Sequence, residues 1–96
     1  MAAYVIVQVD VTDAAKYDEY KKLAAAAAER HGGRYIVRGG EAEDLEGQRP
    51  YPRLVVLEFA TYERAKQWYH SPEYQKAKAA RSGAGRGVFT VIQGVP

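Results

Sequence analysis

Ninety-six residues suit one domain with a single core, small enough that association would help stability. An apolar share of 47% excludes a disordered chain, and a formal net charge of +2, with the basic residues scattered rather than gathered in a stripe, argues against a nucleic-acid partner. The chain has no cysteine, which excludes a disulfide framework, a thiol nucleophile and a thiolate metal site, and fits a reducing compartment. It runs straight into Tyr4-Val5-Ile6-Val7 without a basic leader or cleavage site. No apolar run approaches the roughly 20 residues that span a bilayer, so a cytoplasmic protein with no membrane partner is expected.

Residues 3–10 alternate, with Val5, Val7 and Val9 on one side and Tyr4, Ile6, Gln8 and Asp10 on the other, which predicts a strand. Asp13 is an N-cap for a helix to about Arg30, with Tyr17, Tyr20, Leu23, Ala24 and Ala27 spaced for one buried face. The alanine run 24–28 allows that helix to approach a sheet closely, and Gly32 sits where a left-handed residue would stop it. A second strand is predicted over 34–38, bracketed by two glycine pairs and carrying Arg34 and Arg38. An acidic loop from Gly39 to Pro52 follows, and then a strand of β-formers, Arg53 to Phe59. Thr61 caps a helix carrying Ala65, Trp68 and Tyr69. Ser71-Pro72, followed by Glu73, restarts it as a piece running to about Arg81. Residues 82–87 read as a flexible glycine-rich linker, and Val88 to Gln93 as the last strand.

This order, β-α-β-β-α-β, predicts a single α+β domain of ferredoxin-like type over residues 1–96. Right-handed crossovers give a four-stranded antiparallel sheet in the order 4-1-3-2 with the helices on one face. Val5, Val7, Val9, Val55, Leu57 and Phe59 form the helix-side set. Tyr4, Ile6, Gln8, Leu54, Val56 and Glu58 form the other, joined by Arg34, Ile36 and Arg38 if the strand phase is regular. Leaving ~400–600 Å² of so apolar a face in water would forgo on the order of 10 kcal/mol. A homodimer with its two sheets packed into a barrel is therefore expected; the alternative is a monomer whose 39–52 loop covers the face.

Several residues are candidates for chemistry, each with a plainer use. Glu58 interrupts an apolar strand near the sheet centre: it is a general base with a pKa raised by burial, or the ion-pair partner of Arg34, Arg38 or Arg53. Arg38 and Arg53 flank the long loop on paired strands and would together hold a carboxylate or phosphate, unless Glu41, Glu43, Asp44 or Glu46 neutralise them. His31 closes the first helix, where its charge complements the dipole, and is the other candidate acid/base. Trp68, Tyr69 and Tyr74 cluster at the helix break and either wall a ligand pocket or fill the core. His31 and His70 lack metal-site spacing, the glycines form no nucleotide-binding loop, and Ser71 has no base placed beside it. No metal or other cofactor is expected.

The motifs Tyr17-x-x-Tyr20, His31-Gly-Gly-Arg-Tyr-Ile-Val-Arg-Gly-Gly40, Leu45-Glu-Gly47, Pro52-Arg-Leu-Val-Val-Leu-Glu-Phe59 and Ala65-x-x-Trp-Tyr-x-Ser-Pro-Glu-Tyr-Gln75 cover nearly the whole chain. In these the chain resembles the bacterial domain-of-unknown-function family numbered 1330, of the dimeric α/β-barrel (ferredoxin-like) superfamily. The resemblance implies a small homodimer with a cleft and assigns no reaction, because related branches include cofactor-free monooxygenases, haem-degrading enzymes, isomerases and stress proteins. One departure is Gln93-Gly94, where the family often has Glu-Gly. Two functions are compatible with these features. One is a protein that binds a small anionic ligand in a cleft between the sheet and the helices or the dimer mate. The other is a cofactor-independent enzyme, isomerase- or monooxygenase-like, with Glu58 or His31 as acid/base and Arg38 and Arg53 orienting the substrate.

Overall fold

A computed structural model describes residues 1–96 as β1 (Ala3–Val11), α1 (Ala14–Arg30), β2 (Arg34–Arg38), β3 (Arg53–Phe59), α2 (Tyr62–His70), α3 (Pro72–Arg81) and β4 (Gly85–Gln93). The helices begin at the expected caps. Asp13 Oδ1 accepts from the Lys16 N–H at 3.2 Å, and Thr61 Oγ1 accepts from the Arg64 N–H at 3.1 Å. The Ser71 hydroxyl serves two helices: it donates to the Trp68 carbonyl at 2.7 Å, ending α2, and accepts from the Tyr74 N–H at 3.1 Å, starting α3. Gly32, at φ +74°, turns the chain out of α1, and the Gly33 N–H closes back on the Ala28 carbonyl at 2.8 Å.

The sheet is antiparallel in the order β2-β3-β1-β4, which is 4-1-3-2 read from the other edge. Val5 lies between Leu57 and Val91, and Val7 between Val55 and Phe89, so one face is continuous hydrocarbon. The three helices cover that face. Val5, Val7, Val9, Val55, Leu57 and Phe59 are all buried, as are Ala24, Ala27 and Ala28 of α1 and the large rings of Trp68 and Tyr74. The domain is only 17 Å thick against 34 and 33 Å across, the depth of one helix layer on one sheet. No helix is long and apolar enough to cross a membrane.

The other face is uncovered. Ile6 is 36% exposed, Val37 42%, Val88 43% and Ile92 50%, and they share that side with Tyr4, Gln8, Leu54, Val56 and Glu58. The loop after β2 lies exposed from Gly39 to Gln48.

Two expectations are corrected. Strand β2 does not keep a regular phase: Tyr35 pairs with Leu57 but Val37 with Val56, so Ile36 is an inserted bulge residue. Arg34 stays on the uncovered face, whereas Arg38, opposite Val55, is turned to the helix side. The glycine-rich stretch is not wholly a linker either, since β4 begins at Gly85. A Cβ at Gly85 would lie 2.6 Å from the Asp10 carbonyl oxygen, so the missing side chain is what lets this edge strand close on β1.

Candidate functional site

The bulge at Ile36 determines where the arginines meet. With Arg38 turned inward it joins Arg53, whose position opposite Val9 already places it on the helix side. Both line a cleft between the sheet and α1, together with Tyr17, Tyr20 and Lys21 of α1, Tyr35 of β2, and Trp68. The void is about 20 Å³, room for one water molecule. Three cations line it and no carboxylate does.

Each arginine is held without an acid. The Arg53 guanidinium carbon lies 5.9 Å from the Tyr17 ring centre, and that of Arg38 lies 4.2 Å from the Tyr35 ring centre. Gly39, at φ +71°, packs directly against the Arg53 guanidinium, where any Cβ would overlap it. The left-handed backbone accounts for the first glycine of the second pair, since the guanidinium is the movable end of a long side chain. The loop carboxylates do not reach the cleft: Asp44 is ion-paired with Arg49, whose Nε donates to the Pro52 carbonyl at 3.2 Å. Lys21 is the exception, being paired with Asp18 at 3.2 Å on the helix surface. Two donors of cleft residues, Arg53 Nε and Trp68 Nε1, are buried without an acceptor. A charged donor left so is costly, and an oxygen ligand would satisfy it.

The phenols around the cleft stay protonated well past neutrality. Burial raises the pKa of Tyr17 against the opposing charges of Arg53, Arg81 and Arg38, and burial raises that of Tyr35 against Arg38. Tyr20 and Tyr74 share a buried hydrogen bond of 2.9 Å between their hydroxyls. Burial is the main cause of both shifts, raising Tyr20 and pushing Tyr74 up to about 12, and the bond further raises Tyr20 while lowering Tyr74, as expected if Tyr20 donates. At neutral pH the site therefore offers cations and neutral hydroxyl donors, a set suited to an anion.

The remaining candidates lie elsewhere. Glu58 points to the uncovered face and accepts from Arg34 Nε at 2.7 Å, its direct cross-strand neighbour. His31 caps α1, its backbone N–H bonded to the Ala28 carbonyl, with Nε2 3.6 Å from a Glu73 carboxylate oxygen. Neither lines the cleft. Trp68, Tyr69 and Tyr74 do come together, with ring centres 4.5 Å apart for Trp68–Tyr74 and 5.0 Å for Tyr69–Tyr74. Only Trp68 reaches the cleft; Tyr74 is wholly buried, and Tyr69 lines a separate groove beside β4. The sequence reading missed Tyr17, Tyr20, Lys21 and Tyr35 as site residues. The i, i+3, i+4 spacing of the first three places them on one helical face, the only signal available for them.

The profile of a domain of unknown function, DUF1330, matches residues 2–95. The chain belongs to the DUF1330 family. No curated protein matches it. Among solved structures, this DUF1330 chain is similar to a protein of unknown function from Rhodopseudomonas palustris, with a TM-score of 0.79, 16% identity, and 99% of this chain and 83% of the other covered. A dimeric ferredoxin-like protein of unknown function from Jannaschia sp. CCS1 gives 0.69 at 13% identity, covering 97% and 99%. SnoaB, a cofactor-independent oxygenase from Streptomyces nogalater, gives 0.66 at 11% identity, covering 99% and 94%. At these identities the likeness is one of fold: this DUF1330 member is a ferredoxin-like domain.

Proposed function

We propose that this protein is a homodimer, closed sheet against sheet, in which each protomer binds a small organic anion in the cleft between Arg38 and Arg53. The observation that carries the binding reading is the unbalanced charge of that cleft: two guanidinium groups without an ion-pair partner, and two buried N–H donors without an acceptor. A carboxylate supplies acceptor oxygens in the planar geometry that guanidinium groups match. The void takes a single water, so anything larger enters by displacing side chains at the mouth. Arg38 is suited to that, being exposed and held by its stack on Tyr35. The dimer rests on the half-apolar uncovered face and on the dimeric fold relative from Jannaschia.

Cofactor-independent catalysis is the second reading, and the fold shared with SnoaB is what favours it. Glu58 and His31 as acid/base would then act away from the arginine cleft, Glu58 on the face turned toward the dimer mate.

The test is a thermal-shift titration with malonate and with benzoate. At about tenfold excess over Kd a ligand stabilises the fold by about 1.4 kcal/mol, which raises Tm by about 4–8 °C per kcal/mol in a domain of this size. Arg38→Ala removes most of that shift while leaving the unliganded Tm nearly unchanged, because the side chain is exposed. Equal shifts in wild type and Arg38→Ala, or none in either across the carboxylates, contradict the assignment.

A further inference from the structure

A second cavity lies along the β4 edge, between that strand and helices α2 and α3, with a volume of about 460 Å³, within the range of small-molecule sites. Four basic side chains reach it: Lys66 and His70 from one face of α2, and Lys78 and Arg81 from one face of α3. No aspartate or glutamate lines it. The chain's ion pairs all lie elsewhere, on Lys21, Arg30, His31, Arg34, Arg49 and Arg86.

Arg81 makes this more than a basic patch. It is only 9% exposed, yet it has neither a carboxylate partner nor a side-chain hydrogen bond. Aromatic faces hold it instead: its guanidinium carbon lies 4.7 Å from the Phe89 ring centre and 5.4 Å from that of Tyr20. Gly87 leaves room for it, since a Cβ there would lie 3.2 Å from Arg81 Nη1 and 3.1 Å from the Phe89 ring. None of its nitrogens is a fully buried donor, so the guanidinium opens onto the groove, its body held on rings and its N–H groups free to take an anion. The Phe89 ring lines both this groove and the arginine cleft, and none of the four basic residues lines the cleft.

We propose that this groove is a second, independent ligand site, which takes an aryl phosphomonoester: a dianionic head gripped by Arg81, Lys66 and Lys78, with a flat apolar body against Phe89 and Tyr69. Three cations without a counter-charge, Arg81 held on rings and two exposed lysines able to swing to it, favour a dianion over a monoanion. The forked guanidinium donates two parallel bonds to a phosphate edge. The two rings supply an apolar wall for the body. Lys78, with its Nζ 5.5 Å from the Tyr69 ring centre, sits where head and body would join.

Calorimetric titration of the full-length protein with phenyl phosphate tests this, with inorganic phosphate and benzamide as probes of head and body alone. Phenyl phosphate binds saturably, inorganic phosphate binds more weakly, and benzamide does not bind. Arg81→Gln weakens phenyl phosphate by at least about tenfold, the scale of one lost charge-assisted contact. Because Arg81 is buried and that variant can fail to fold, the double variant Lys66→Gln/Lys78→Gln, altered only at exposed positions, provides the second arm and weakens binding several-fold. Arg38→Ala leaves phenyl phosphate binding unchanged, which separates this site from the arginine cleft. No saturable binding by wild type, wild-type affinity in the double lysine variant, or loss of binding in Arg38→Ala overturns the proposal.

Discussion

Replacing Trp68 by alanine destabilises the fold by about 3–5 kcal/mol, the cost of removing a buried indole from a core that cannot collapse around the gap. Trp68 is 1% exposed, and its ring lies 4.5 Å from that of Tyr74 and 5.4 Å from that of Phe59, so it joins α2, α3 and β3. A domain of this size has about 5–15 kcal/mol in total, so the variant sits close to unfolding at room temperature. Trp68→Phe costs less, because it also removes an indole N–H that has no acceptor. Trp68 is the chain's single tryptophan, so unfolding in urea is followed by far-ultraviolet circular dichroism rather than fluorescence. A loss below about 1 kcal/mol for Trp68→Ala would mean that the side chain is not in the core.

The second large effect belongs to the Tyr20–Tyr74 pair. Tyr20→Phe or Tyr74→Phe leaves one buried hydroxyl without its partner, at about 1–3 kcal/mol each. The double variant costs less than the sum of the two, since no hydroxyl is then stranded. The same pair predicts a loss of stability in alkali. Both folded pKa values stand above the ordinary 10.0 of tyrosine. Below pH 10 both states hold their protons and the contribution is intact. Above it the unfolded chain releases protons that the folded chain keeps, so stability falls as pH rises. Urea midpoints measured from about pH 8 to about pH 11 fall more steeply for wild type than for Tyr20→Phe/Tyr74→Phe. Some slope survives in the double variant through Tyr17 and Tyr35, which burial also raises. Parallel slopes would show that the two phenols ionise in the fold as freely as in the unfolded chain.

The elements were legible in the sequence because local chemistry marks their ends. Asp13, Gly32, Thr61 and the Ser71-Pro72 restart each act within a few residues, and each stands where the chain implies. The alternation of β1 and β3 likewise separates the two faces correctly. What was hidden depends on pairing between distant strands. Nothing in Tyr35-Ile36-Val37 marks a bulge, since all three are ordinary strand residues; the extra residue shows only in the register against β3. Yet that single insertion decides that Arg38 meets Arg53 on the helix side, while Arg34 meets Glu58 on the other. Gly85 and Gly87 look like a linker in sequence because a glycine needed for close packing and one needed for flexibility read alike. Tyr17 and Tyr20 fit a core stripe equally well; only the cleft beside them gives them a second use.

The proposed dimer is the step that would join this fold to the proposed function, because it would remove Ile6, Val37, Val56, Val88 and Ile92 from water and set Glu58 at a shared interior. Light scattering coupled to size exclusion measures it directly, at micromolar concentration, on wild type and on Val56→Glu, which places a charge between Ile6 and Val37 on the uncovered face. The account predicts twice the 10.7 kDa chain mass for wild type and a folded monomer for the variant. Wild type at a single chain mass, or a Val56→Glu dimer as robust as wild type, would contradict it.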